Sequence, residues 1–205
     1  MSHDIYAFGS IVRGDVLPTS DVDILVVSDS EESGNYPSEW SVYSPKLLEK
    51  YYLKGRLFAW HLHLDAILIY TSSERDCLTR LGTPVEYSSG LEDISELTQI
   101  LKVALNRIYS GSKSEIFEYG IVYTALRDIA MSASYYMLDR PNFSRHAPYE
   151  LPLRFPLSKE TYEKAMMARH CSTRGLDCLP CFAEERDEMK IGIFDEWLFE
   201  IEKAL

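Results

Sequence analysis

Phe8-Gly9-Ser10-Ile11-Val12-Arg13-Gly14-Asp15-Val16-Leu17-Pro18-Thr19-Ser20-Asp21-Val22-Asp23-Ile24-Leu25-Val26-Val27 joins two apolar runs through a Gly-Ser turn and a pair of aspartates. A short apolar run, Ile5-Tyr6-Ala7-Phe8, ends at a Gly-Ser turn, and a second run opens at two aspartates two residues apart. Side chains alternate faces along a strand, so Asp21 and Asp23 point the same way. Like charges that close are unfavourable unless a cation lies between them. A hard divalent metal with oxygen ligands meets that need, and Mg²⁺ commonly comes with phosphate. Gly9, by close backbone approach, and Ser10, by its hydroxyl, offer a candidate phosphate site. Ser10 to Val16 reads as the start of a helical turn whose backbone N–H groups face the anion.

The pattern Gly9-Ser10, a short gap, then Ser20-Asp21-Val22-Asp23 resembles the signature of the DNA polymerase β-like nucleotidyltransferase superfamily. Arg13-Gly14-Asp15 and Ser20 are similar to its minimal nucleotidyltransferase branch, which includes aminoglycoside nucleotidyltransferases and antitoxin-like proteins. The resemblance covers about the first 30 residues and reaches about residue 70 through a third position, Asp65. It implies a third carboxylate on a strand beside the Asp-x-Asp strand, where Asp65 stands in Leu62-His63-Leu64-Asp65-Ala66-Ile67-Leu68-Ile69-Tyr70. By that resemblance Asp21 and Asp23 bind two metal ions. Asp65 binds one of them and helps deprotonate an acceptor hydroxyl. Gly9 and Ser10 hold the outer phosphates, and Ser20 adds a hydrogen bond or caps the turn. The helix that often precedes the Gly-Ser strand in this superfamily is not read here, since the strand begins by about residue 4.

A chain of 205 residues with 46% hydrophobic content can bury one sizeable core or two small ones. Its formal charge of -11 disfavours a broad nucleic-acid footprint. No secretory signal pattern and no apolar run of spanning length is read, and four cysteines do not form a secreted disulfide framework, so a cytoplasmic location is expected.

Along the chain, residues 5–8 and 22–27 read as strands, and 28–44 as a polar loop at the rim of the site. Ser44-Pro45 caps a helix that Gly55 ends, with Leu47, Leu48, Tyr51 and Tyr52 as its apolar face. Residues 62–70 are expected to form a third strand. After Ser88-Ser89-Gly90 the β pattern stops. Ile94, Leu97, Leu101, Ala104, Leu105 and Ile108 recur at helical spacing, and Ser114 to Leu138 reads as an antiparallel second helix. Pro141, Pro148, Pro152 and Pro156 make an irregular connection before helices over 158–170 and 182–205. The expected architecture is α+β: a small mixed-sheet nucleotidyltransferase domain over 1–90, then an α-helical bundle over 91–205 that closes the active-site cleft.

Several other side chains have two readings each. Arg127, beside Asp128, either forms a structural ion pair or reaches the nucleotide. Lys102 and Arg107 read as surface charge, and Arg13 as a surface or loop-anchoring residue, with contact to the acceptor as its alternative. His61, His63 and Asp65 share strand parity, which would make a metal ladder, although ordinary strand histidines are favoured. Arg140 and His146, with Arg145 between them, fit the loose Arg-x(4–6)-His pattern of HEPN ribonucleases, but proline and net acidity suit an RNA-cutting site poorly, and a pocket or hinge role for Arg145 and His146 is favoured over it. His170, Cys171, Cys178 and Cys181 form a potential zinc set, with plain reduced cysteines favoured, and Cys77 reads as core.

The expected activity is Mg²⁺-dependent transfer of an NMP, most simply AMP from ATP, to an acceptor hydroxyl with release of pyrophosphate. A small molecule, such as an aminoglycoside, or a protein is favoured over nucleic acid as acceptor, and a partner protein or homo-oligomer is compatible with the sequence. Two alternatives stand beside it: a toxin–antitoxin or defence component that acts on a partner protein, and a nucleotide-binding regulator without turnover.

Overall fold

The computed structural model of the chain describes residues 3–16, 22–29, 36–174, 182, 188–190 and 192–205. Two compact units divide the chain, Met1–Ser88 and Ser89–Leu205. The first contains β1 (His3–Phe8), α1 (Ser10–Arg13), β2 (Asp23–Ser28), β3 (Ser41–Tyr43), α2 (Pro45–Leu53), α3 (Leu57–Asp65), β4 (Ile67–Thr71) and α4 (Cys77–Leu81). The second is helical: α5 (Gly90–Tyr109), α6 (Glu115–Met137), α7 (Ala147–Glu150), α8 (Lys159–Arg174) and α9 (Asp195–Ala204). The class is α+β.

The sheet runs β3-β2-β1-β4 and is mixed: β1 pairs antiparallel with both β2 and β4, whereas β2 and β3 are parallel. From Ile24 onward β2 is buried at every position, so a continuous apolar run, rather than an alternating one, marks it. β1 alternates, burying Asp4, Tyr6 and Phe8. Tyr6, Phe8, Leu25 and Val27 form the core of this unit with Leu48 of α2 and Leu62 of α3. Registers Phe8↔Asp23 and Ala7↔Ile67 bring the start of β2 and the α3–β4 junction to the end of the sheet where β1 runs into Gly9. α2 starts as its sequence dictates: Pro45 occupies its first turn and the Ser44 hydroxyl accepts from the Leu47 N–H at 3.3 Å.

Two buried carboxylates tie α4 to the sheet. Asp4 accepts from the Thr71 hydroxyl at 2.6 Å and from the Cys77 N–H at 2.7 Å. Asp76 caps α4 through the Thr79 N–H at 3.0 Å and accepts from the Tyr6 hydroxyl at 2.7 Å. Burial and these carboxylates together push the Tyr6 hydroxyl pKa up, so it stays a donor.

Three expectations are corrected. Residues 62–70 are not one strand: α3 continues to Asp65 and only Ile67–Thr71 is extended. α3 is apolar nearly all round, so neither helical nor strand periodicity stands out in it. The expected loop over 28–44 contains the short strand β3, too brief to carry a pattern of its own. The last helix is confined to Asp195–Ala204 among the described residues, where 182–205 was expected.

In the second unit α5 and α6 run antiparallel. Gly90 N–H meets the Tyr136 hydroxyl at 3.2 Å at one end of the pair, and Arg107 meets Glu118 at 3.6 Å at the other. Gly120 lets α8 lie against α6: a Cβ at that position would stand 2.9 Å from Arg169 Cα. Among the described residues no helix is long and apolar enough to cross a membrane.

Candidate active site

Gly9 is the pivot of the site. Its φ of 75° and ψ of -147° belong to a region that side-chain-bearing residues rarely adopt. A Cβ built on it would collide with the Asp23 carboxylate. The turn after β1 and the first residue of β2 are therefore in contact, as the register Phe8↔Asp23 requires. Ser10 then opens α1, a four-residue turn closed by Gly14 in the left-handed conformation. Asp23 is half-buried at the mouth of β2. Ser20 and Asp21 lie outside the described residues.

Asp65 is the last residue of α3, immediately before β4, and is buried. Its Oδ2 accepts from Arg13 Nη1 at 2.7 Å and lies 3.4 Å from His61 Nε2. His61 Nε2 is in turn 3.2 Å from Arg13 Nη1. One ring nitrogen cannot both accept from Arg13 and donate to Asp65, so the tautomer of His61 decides which contact is a hydrogen bond. Burial alone would raise the Asp65 carboxyl pKa. The hydrogen bonds and charges of His61 and Arg13 outweigh it and hold the carboxyl below its ordinary range.

This arrangement corrects the strand-based geometry expected for Asp65. His61, His63 and Asp65 do not form a ladder, because on a helix His61 and Asp65 share a face at i and i+4 while His63 turns away and contacts Trp60. Arg13 serves as the loop anchor, tying α1 to the end of α3 across 52 positions of sequence. The pairing of Arg13 with His61 and Asp65 escaped the sequence reading. Its one available signal was the i, i+4 spacing of His61 and Asp65, visible only once a helix is assigned there.

The remaining candidates lie in the second unit or outside this cluster. Arg127, on α6, donates to Asp128 through Nε at 2.9 Å and pairs with it through Nη2 at 2.8 Å. Burial opposes its charge, but Asp128 and Tyr123 outweigh that and keep the guanidinium firmly protonated. Its guanidinium also stands over the Tyr123 ring at 5.7 Å. Lys102 is exposed on α5. Arg140 is exposed, whereas His146 Nε2 lies 3.3 Å from Glu163 and the Arg145 carbonyl accepts from the Tyr162 hydroxyl at 2.8 Å. Cys77 and Cys171 are buried. Cys178 and Cys181 lie outside the described residues, and among the described residues no group of three or more His, Cys, Asp or Glu is arranged to hold a metal.

Residues 2–64 match the family model of the nucleotidyltransferase domain. The match runs from β1 almost to the end of α3, includes Gly9, Arg13 and Asp23, stops one residue before Asp65, and supports placing this unit in the nucleotidyltransferase superfamily. It supports, equally, a transferase that moves a nucleotidyl group. No curated protein matches the chain.

Proposed function

We propose that the first unit transfers a nucleoside monophosphate, AMP from ATP in the simplest case, to an acceptor hydroxyl. The acceptor hydroxyl gives up its proton to solvent as its oxygen bonds the α-phosphorus, the bond from that phosphorus to the α,β-bridging oxygen breaks, and pyrophosphate leaves with the electron pair. The observation that carries this reading is the contact between the Gly9 backbone and the Asp23 carboxylate. It sets a turn with no side chain in the way, suited to close approach by phosphate, directly beside a hard oxygen donor.

The donor set suits Mg²⁺ by its chemistry: carboxylate oxygens at the mouth of a strand, beside a backbone turn. Asp23 would hold the ion with Asp21, and Asp65 would join through an oxygen that Arg13 now occupies. When bound, the metal would neutralise the triphosphate and stabilise the attacking and leaving oxygens. Ser10 and the Gly9 backbone would orient the outer phosphates. Because Asp65 is held below its ordinary range, it favours the role of charged ligand over that of strong base. Release of Asp65 by Arg13 would free a guanidinium beside the site, suited to the triphosphate or the acceptor.

The test is incubation with Mg²⁺ and ATP labelled in parallel at the α- or the γ-phosphate, against RNA pools, an aminoglycoside panel and a protein lysate. Label transferred from the α position only, onto one acceptor class, is the expected result. Transfer of the γ-label would replace the proposal with phosphoryl transfer. Tight nucleotide binding with no transfer to any class would favour the regulator.

A further inference from the structure

We propose that two copies of this chain associate through α5, packed antiparallel about a two-fold axis at the middle of that helix. α5 has one buried apolar face and one exposed face that mixes apolar with charged residues. One, with Ile94, Leu101, Leu105 and Ile108, is buried in the core of its own unit. The other consists of Glu96, Ile100, Val103 and Arg107, spaced by four, three and four residues, which places all of them within roughly 60° of arc at 100° per residue. Ile100 and Val103 are 48% and 50% exposed. The stripe forms one wall of an open groove, and Phe117 and Ile121 of α6 form the other. Half-exposed branched side chains facing an exposed phenylalanine across a groove are a surface with something left to bury.

The order of the four residues selects the occupant. Their positions are symmetric about the midpoint between residues 101 and 102. A second α5 laid antiparallel over that midpoint sets Glu96 opposite Arg107 of the second copy and Ile100 opposite its Val103, and the two-fold axis repeats both pairings. A parallel arrangement would oppose Glu96 to Glu96 and Arg107 to Arg107, which is repulsive at both ends. A wholly acidic or wholly basic partner would match only one end of the stripe. Self-complementarity of this kind is what an isologous contact between identical chains requires.

Arg107 can serve both sides. It is mostly exposed, lies 3.6 Å from the buried Glu118 through one nitrogen, and carries further N–H groups able to meet a second carboxylate. The antiparallel arrangement also opposes the two helix dipoles favourably.

The experiment is the mass of the full chain in solution by sedimentation equilibrium, with no nucleotide present. Twice the chain mass of 23.6 kDa is expected. Val103→Glu, at an exposed position, is expected to keep its melting temperature and sediment as a monomer. Glu96→Arg and Arg107→Glu reverse the charge at opposite ends of the stripe. Each alone faces like charge and should be monomeric, but an equimolar mixture pairs every charge with its opposite and should regain the doubled mass. Arg107→Glu also removes the partner of Glu118, so the mixing test is read only if its melt shows a folded protein, and Val103→Glu decides otherwise. A monomeric wild type overturns the proposal. So does a doubled mass that persists in Val103→Glu, or folded charge variants that fail to recombine.

Discussion

Gly9 has no substitute, for two independent reasons: its backbone conformation strains any residue with a side chain, and its missing Cβ leaves room for the Asp23 carboxylate. Gly9→Ala should therefore destabilise the first unit by about 1–2 kcal/mol and lower transfer more than its stability loss explains. Thermal melts paired with initial rates would separate the two effects, and full activity would show that the carboxylate tolerates displacement. Asp65 makes a prediction about pH. Its folded pKa is depressed, so its ion pair contributes stability above the unfolded carboxylate value of about 4, and that contribution is lost as pH falls through the folded value. The melting temperature should fall more steeply below that pH in the wild type than in Asp65→Asn, as followed by circular dichroism. At this scale Gly9 and Asp23 were legible because the constraint on them is local. Asp65 and Arg13 were named from the sequence, but their pairing with each other and with His61 was not legible, because it joins residues about 50 positions apart.

Among the elements, those with chemical punctuation were readable from sequence and those without it were not. Ser44-Pro45 announced α2, and the buried run after Asp23 announced β2. α3 and β4 merged into one apparent strand because both are apolar and only Ala66 separates them. β4 misled in a second way: Ile67, Leu68, Ile69 and Tyr70 are all exposed on an edge strand, a position where apolar residues are usually sparse. Close packing of α6 on α8 leaves a measurable trace at Gly120. Gly120→Val must move α8 away, at a cost of about 2–3 kcal/mol from overpacking, although Val is otherwise acceptable in a helix. Urea unfolding monitored at the aromatic residues would report it, and an unchanged midpoint would show that the two helices have slack there.

Over the whole molecule, the α+β class followed from where β-type patterning ends, near Gly90, which also begins α5. The strand order β3-β2-β1-β4 was beyond reach of the sequence, since β3 is three residues long and its parallel pairing with β2 depends on the chain between them. Under the proposed function, the net charge of -11 argues for a cationic small molecule or a protein over nucleic acid as the acceptor to test first. In the proposed function the chemistry depends on the carboxylates of Asp21, Asp23 and Asp65, of which Asp23 stands beside the Gly9 turn. The measurement that tests it most directly compares wild type with Asp23→Asn, scoring transfer of the α-phosphate label and the melting temperature side by side. The account predicts that transfer disappears while the melting temperature stays unchanged or rises, because removing one of two neighbouring carboxylates relieves repulsion. Undiminished transfer by Asp23→Asn would contradict it.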